Sequence, residues 1–373
     1  MQRNLVRPAL IAAAIGLTSI ALAACGSSDD APQGAKTMSF TLTDAGCVPN
    51  AAKAPAGPIV FEVENAGTSK VSEFEVLDGE TILGEVENLS DGFNGSFSLT
   101  LEQGEYTLYC PGGEDERGAL TVSGKLDTES SPQVEAAISQ YRDYLETNSA
   151  ALVAATEPFV AAVEAGDVER AKALYAPARI PYEKIEPVAE SFGDLDPRID
   201  ARENDVPKSE WGGFHPIEQA LWVDGTAEGM TPVAKQLLAD VEELQRKVET
   251  VDLQAVQIAN GANELLGEVS ASKITGEEER YSHTDLVDFE ANVAGSEAAF
   301  EAVKPLVEEK DPELVEEIEA GFEDVYASLK PYRTGDGFVA YTELSKADTR
   351  VLAQKIDALA EELSQTPALI VGE

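Results

Sequence analysis

Two periodicities divide this chain of 373 residues. From Thr37 to Val122 apolar residues alternate with polar ones or form short apolar runs, as in Ser39-Phe40-Thr41-Leu42, Ile59 to Glu64, Phe74 to Leu77, Ser96 to Leu101, Tyr106 to Tyr109 and Ala119 to Val122. Turn signals separate them at Asn65-Ala66-Gly67, Asp78-Gly79, Gln103-Gly104 and Pro111-Gly112-Gly113. Short strands at such regular spacing predict a small β-sandwich over 37–123. Residues 124–133 carry no periodicity and form a linker.

Beyond Pro132 the spacing is helical. Val134, Ile138, Tyr141, Leu145, Leu152 and Phe159 share one seam of a long helix, which Gly166 closes and Asp167 follows as the next N-cap. Val168, Ala171 and Leu174 predict a shorter helix up to Pro177. Tyr182, Ile185, Ala189 and Phe192 form the face of another, which Pro187 should kink because it leaves the Glu183 carbonyl without its usual donor. Further seams follow: Val233 to Val251, about Leu253 to Val269, Leu286 to Phe300 after Ser282 or Thr284, a helix opened by Asp311-Pro312 and ending at Pro331, and a last one from Ser345 that Pro367 ends. Lys273 to Tyr281 reads as a charged loop. The expectation is an antiparallel assembly of about seven to nine helices over 134–365, with 366–373 as a tail.

The formal net charge of −42 disfavours nucleic acid and anionic lipid surfaces as partners; it either makes a cation the natural ligand or only keeps an exported protein soluble. At the N-terminus, Arg3 and Arg7 precede the apolar run Ala9 to Ala24, and Leu22-Ala23-Ala24-Cys25 matches a bacterial lipobox. Residues 1–24 are therefore expected to be a signal peptide, and Cys25 the lipid-bearing residue (diacylglyceryl, palmitate). Residues 25–36 would be a solvated tether at the outer face of the cell membrane. Of the remaining cysteines, Cys47 and Cys110, an extracytoplasmic pair most often forms a disulfide.

The chain holds only two histidines. His215 stands in Trp211-Gly-Gly-Phe-His-Pro-Ile-Glu218, so that its imidazole and the Glu218 carboxylate, three residues on, share a helix face and can reach one metal ion or one proton. The thermolysin-like signature needs a second histidine one turn away and a glutamate beside the first; Phe214 and Pro216 stand there instead, which disfavours a zinc hydrolase of that type. Glu183, Glu186 and Glu190 form an acidic stripe that could be a solvated face or a source of hard oxygen ligands. Asp285, beside His283, could complement a helix dipole or supply a further carboxylate.

Four segments together resemble successive motifs of one family. They are Tyr182 to Glu190, Leu195-Asp-Pro-Arg-Ile-Asp-Ala-Arg202, Gly213-Phe-His-Pro-Ile-Glu218 and Tyr281-Ser-His-Thr-Asp-Leu286, and they resemble the imelysin-like domain of the EfeO family of bacterial iron-uptake components over roughly residues 130–365. Phe74 to Leu77, Glu85 to Leu89 and Gly104-Glu105-Tyr106 ahead of Cys110 resemble that family's N-terminal cupredoxin-like domain. The resemblance implies a cupredoxin-like β-sandwich followed by an all-α imelysin-like domain of two helical bundles. It implies a metal site at His215 and Glu218, completed by Glu183, Glu186 and Asp200, with Asp285 as a further acidic ligand. For the sandwich it implies a possible second metal, copper or iron, at Glu75, Glu85, Glu87 and Cys110, with Cys47 and Cys110 either ligating or bridged. Residues 37–123 contain no histidine, so the usual copper-thiolate ligand set cannot be assembled there. The implied cargo is Fe(II) or Fe(III), the implied partners an inner-membrane iron permease and a haem peroxidase of the dye-decolourising type. The alternative is a metal-dependent peptidase of the imelysin-like class.

Overall fold

The computed structural model describes residues 35–126, 131–335 and 337–371. The expected signal peptide, Cys25 and nearly all of the tether lie outside the described residues. Among the described residues no helix is long and apolar enough to cross a membrane.

Nine strands build the N-terminal part: β1 (Lys36–Thr43), β2 (Gly46–Val48), β3 (Ala51–Pro55), β4 (Gly57–Asn65), β5 (Phe74–Asp78), β6 (Thr81–Val86), β7 (Asn94–Leu101), β8 (Gly104–Tyr109) and β9 (Arg117–Ser123). They form two sheets, in the orders β2-β1-β4-β7 and β3-β9-β8-β5-β6. The alternation seen in sequence places Phe40, Leu42, Phe61, Val63 and Phe97 of one sheet against Phe74, Val76, Leu108 and Leu120 of the other, all buried. Four phenylalanines pack at the centre, with Phe40 and Phe74 rings 4.7 Å apart and Phe61 stacked on Phe97 at 4.9 Å. Cys47 on β2 and Cys110 after β8 form a disulfide with a Cα separation of 5.7 Å. A bridged sulfur offers no thiolate, so Cys110 is not available as a metal ligand in this form.

Among the described residues eleven α-helices follow: α1 (Pro132–Glu164), α2 (Val168–Glu183), α3 (Glu186–Glu190), α4 (Leu195–Asp200), α5 (Phe214–Gln219), α6 (Thr231–Val248), α7 (Ala255–Ala271), α8 (Asp285–Lys310), α9 (Pro312–Leu329), α10 (Lys346–Leu363) and α11 (Thr366–Ile370). Ser131, Asp167, Asp311 and Ser345 cap α1, α2, α9 and α10 through their side chains. Pro177 does not end a helix: α2 runs through it and through Pro181. Tyr175, Ala178, Arg179 and Tyr182, spaced i, i+3, i+4 and i+7, are fully buried on one face, and that burial outweighs the lost backbone bonds. The break comes instead at Lys184–Ile185, where Pro187 cannot donate to the Glu183 carbonyl. The Asn292 side chain on α8 takes its place, donating to that oxygen at 2.9 Å. The expected tail starts with a helix, α11, which buries Ile370, and Val371 just beyond it is buried as well.

α7 lies against both sheet edges. Asn260 donates to the Ser98 carbonyl on β7 at 2.9 Å, and Gln257 to the Leu83 carbonyl on β6 at 2.9 Å. The Ile82 amide of β6 donates to the Ser191 carbonyl after α3 at 3.0 Å, so the edge strands are covered by helices.

Candidate metal centre

The centre begins with a close approach that only glycine permits. Gly213 has φ +80°, and a Cβ there would collide with the Ile199 carbonyl of α4. The start of α5 is thereby pressed against the end of α4, which sets His215 beside Asp200. His215 is 2% exposed. Its Nδ1 lies 3.2 Å from Glu218 Oε2, while Nε2 is 3.5 Å from Asp200 Oδ1 and 3.4 Å from Glu278 Oε1 without hydrogen-bond geometry to either. Glu218 is committed on both oxygens: Oε1 accepts from the Tyr281 amide at 2.9 Å and the Ser282 amide at 2.7 Å.

Two buried cations partition the carboxylates around this point. Arg179 on α2 reaches Asp200 and Glu183, Glu279 at 2.6 Å, Glu278 at 3.2 Å and Asp288 at 3.4 Å. Lys273 holds Glu183 Oε2 at 2.8 Å and Glu186 Oε2 at 2.7 Å. Asn292 donates to both of those oxygens, at 3.1 and 3.0 Å.

The expected ligands thus separate. Asp200, His215 and Glu278 offer three atoms within 4.8 Å of one another, as do His215, Glu218 and Glu279. Glu183 and Glu186 come equally close to Asp200, but Lys273 occupies the oxygens they present. Asp285, buried at the start of α8, receives the Glu279 amide at 3.2 Å on Oδ1 and leaves Oδ2 without a partner. It belongs to none of the close-packed groups around His215. His283, half-buried just before α8, also lies outside them.

Electrostatics follow this geometry. Burial alone would lower the His215 pKa, yet Asp200, Glu218 and Glu278 carry it well above the ordinary value. Burial would raise Asp200 and Glu278, but Arg179 and His215 hold the first below its usual range, and Lys273, His215 and Arg202 hold the second well below. Asp285 is pushed up to about 6 by burial. Glu279 and Asp288 are driven well above the carboxylate range, in both cases by burial first.

In the sandwich, Glu75 on β5 and Glu85 on β6 are cross-strand partners, 4% and 9% exposed. Glu85 and Glu87 come within 4.8 Å of each other and of Glu73. Burial, then the Glu73 charge, pushes Glu75 up to about 8.

Arg179, Lys273, Glu278, Glu279 and Asn292 carry no local sequence signal for this centre. The segment expected to be a charged loop folds inward and supplies three of them. The one hint was Arg179 standing four residues before Glu183, the spacing of a helical ion pair.

Residues 137–366 match the family model described as imelysin, and residues 15–122 that of the cupredoxin-like domain. The chain is 40% identical over 345 residues to the iron uptake system component EfeO of Escherichia coli (strain K12), covering 90% of this chain and 91% of that one. It is 39% identical over 374 residues to the EfeO of Shigella boydii serotype 4 (strain Sb227), covering 98% of each. The chain therefore belongs to the EfeO family, with a cupredoxin-like domain followed by an imelysin domain.

Proposed function

We propose that this chain is the iron-binding component of an extracytoplasmic iron-uptake system. Held at the membrane through a lipid on Cys25, it captures Fe(II) or Fe(III) as cargo and passes it to an inner-membrane iron permease, with a haem peroxidase of the dye-decolourising type acting beside it. The observation that carries the reading is His215 Nε2, a buried imidazole nitrogen without a hydrogen-bond partner that faces the carboxylates of Asp200 and Glu278. One nitrogen with two carboxylate oxygens suits iron better than a thiolate-seeking metal. Glu218 acts one step back: by accepting from Nδ1–H it leaves Nε2 as the nitrogen that can bind. Arg179 and Arg202, the latter 3.1 Å from Glu278 Oε2, hold the two carboxylates in place. We read this as binding and transfer rather than peptide hydrolysis, because the carboxylates near His215 are each tied to Arg179 or to backbone amides and none is left as a general base.

Aerobic titration with ferric citrate and anaerobic titration with Fe(II) test this on the purified protein. The wild type should bind, and His215→Ala and Asp200→Asn should weaken binding by about 100-fold or more, about 2.7 kcal/mol. Unchanged affinity in His215→Ala would overturn the reading. Peptide cleavage by the zinc-loaded protein that a chelator abolishes would move it to the peptidase class.

A further inference from the structure

Tyr175 on α2 is fully buried, and its hydroxyl donates to Glu279 Oε1 at 3.2 Å. A buried phenol needs an acceptor. This one uses a carboxylate that lies with His215 and Glu218 in a group whose ligand atoms are within 4.8 Å of one another. The same phenol ring meets the indole of Trp222, with centroids 5.4 Å apart and planes at 63°, which is van der Waals contact for aromatic rings. Trp222 is half-buried, in the π-helical turn Ala220–Asp224 that follows α5, so it reaches solvent. Two rings therefore lead from the centre to the surface.

Tyrosine and tryptophan rings give up one electron far more readily than phenylalanine. Phe159 and Phe214, which flank Tyr175 at 5.8 and 6.1 Å, cannot share the charge, and that leaves Trp222 as its outlet. Among the described residues one other pair of such rings is in contact, Tyr141 and Tyr144 at 6.0 Å, and the Tyr144 hydroxyl has no partner that would tie it to the centre.

An extracytoplasmic Fe(II) site meets peroxide. Hydrogen peroxide takes two electrons as its O–O bond breaks, and Fe(II) gives one. Unless a side chain gives the second, it comes from a ligand such as His215 or is left as a free hydroxyl radical.

We propose that Tyr175 and Trp222 form a one-electron path that carries the oxidising equivalent of a peroxide out of the His215 centre to the protein surface. Fe(II), Trp222, hydrogen peroxide and one proton give Fe(III), a neutral indolyl radical and two waters. Tyr175 is the intermediate carrier. Its oxidised phenol is so strong an acid that Glu279 takes the proton even while paired to Arg179, and returns it when Trp222 gives up an electron. Lys172 lies over the indole at 5.3 Å and disfavours a cationic radical, so Trp222 loses its N–H proton with the electron. A soluble one-electron donor such as a thiol then restores the ring. The source of the oxidising equivalent rests on the iron-binding reading above; the transfer between the rings does not.

Two measurements on the full mature chain test this. In the first, protein loaded anaerobically with Fe(II), its iron counted after dialysis, receives an equimolar amount of hydrogen peroxide without reductant. Peptide mass spectrometry should find oxygen addition at Trp222. Trp211, whose indole donates to the Ala201 carbonyl at 2.8 Å, lies off the path and is the internal control. Tyr175→Phe should keep its iron, lose the Trp222 modification and oxidise His215 instead, while Trp222→Phe should hold a tyrosyl radical signal for longer than wild type. Both variants keep an aromatic ring in place, and their melting temperatures should stay near that of wild type. Trp222 modified equally in Tyr175→Phe, or no more than Trp211, would overturn the proposal. The second measurement needs no iron. In apo Trp211→Phe, azide radicals made by pulse radiolysis oxidise Trp222, and the indolyl absorbance should convert to that of a phenoxyl radical at a rate independent of protein concentration. Adding Tyr175→Phe should abolish the conversion. Conversion that persists there would refute the ring pair whatever the fate of the iron. Failure of the wild type to retain Fe(II) would instead refute the binding reading and with it the source of the oxidising equivalent.

Discussion

Replacing Glu218 by glutamine separates a residue that binds the ion from one that aims its ligand. The substitution keeps shape and changes chemistry at three hydrogen bonds: two backbone amides at 2.9 and 2.7 Å and His215 Nδ1 at 3.2 Å. If the amide oxygen stays on the two backbone N–H groups, the new NH₂ faces Nδ1 and can only donate. The ring must then accept at Nδ1 and carry its proton on Nε2, the nitrogen that faces Asp200 and Glu278. Loss of an orienting carboxylate of this kind costs about 10- to 100-fold in metal affinity, or about 1.4 to 2.7 kcal/mol. Turning charge-assisted bonds into neutral ones weakens each backbone contact by about 1 kcal/mol, so the apo protein should also melt a few degrees lower. Ferric citrate titration gives the affinity. Long-range ¹⁵N–¹H spectra of histidine-labelled protein, with Ga(III) as diamagnetic stand-in, give the tautomer directly, because the chain has only two histidines. Binding should weaken within the stated range, and Nδ1 should lose its proton. A loss as deep as that of His215→Ala would make Glu218 a direct ligand, and unaltered affinity would remove it from the site; either refutes the positioning role.

Arg179→Met strips the cation from five buried carboxylates and should destabilise the apo protein by about 3–5 kcal/mol. Mn(II) should recover part of the lost melting temperature by binding the folded state. Cys47→Ala/Cys110→Ala opens a loop with a sequence separation of 63, for which chain entropy predicts about 4 kcal/mol lost from the sandwich; chemical denaturation measures the loss, and iron binding at His215 should persist. For pH, Glu75 is raised to about 8, Glu264 and Asp196 to about 7 and Asp285 to about 6, from ordinary values of 4.5 or 3.8. Between about pH 4 and 8 the folded apo protein therefore holds more protons than the unfolded chain, so stability is present at the acid end and lost as pH rises. Thermal melts should fall steadily from pH 5 to 8.5, and a flat or rising profile would contradict these shifts.

The fold was legible where burial follows local periodicity. Alternation placed Phe61 and Val63 inward, the i, i+3, i+4 seam placed Tyr141 and Leu145, and Asp311-Pro312 marked a helix start because a cap needs only its own chain. Pro177 misled because its local cost is real but smaller than the tertiary gain of burying Tyr175, Arg179 and Tyr182 together. His215 and Glu218 were visible as an i, i+3 pair, yet the division of labour proposed for them was not. It depends on the amides of Tyr281 and Ser282, more than sixty positions away, which commit Glu218 Oε1. Glu278 stands in a run of glutamates that any acidic surface loop would show, and nothing local distinguishes the one that turns inward.

The two acidic regions solve the problem of stored negative charge in opposite ways. Around His215 the chain carries its own counter-ions: Arg179 and Lys273 are fully buried, and they allow Asp200 and Glu278 to be ionised and fixed in position before any cargo arrives. If the centre binds iron as proposed, the arriving cation displaces the proton of His215 and rearranges existing pairs. The carboxylates beside Glu85 have Lys273 only at their inner end, 3.5 Å from Glu268, and burial holds Glu75 and Glu85 towards the protonated form instead.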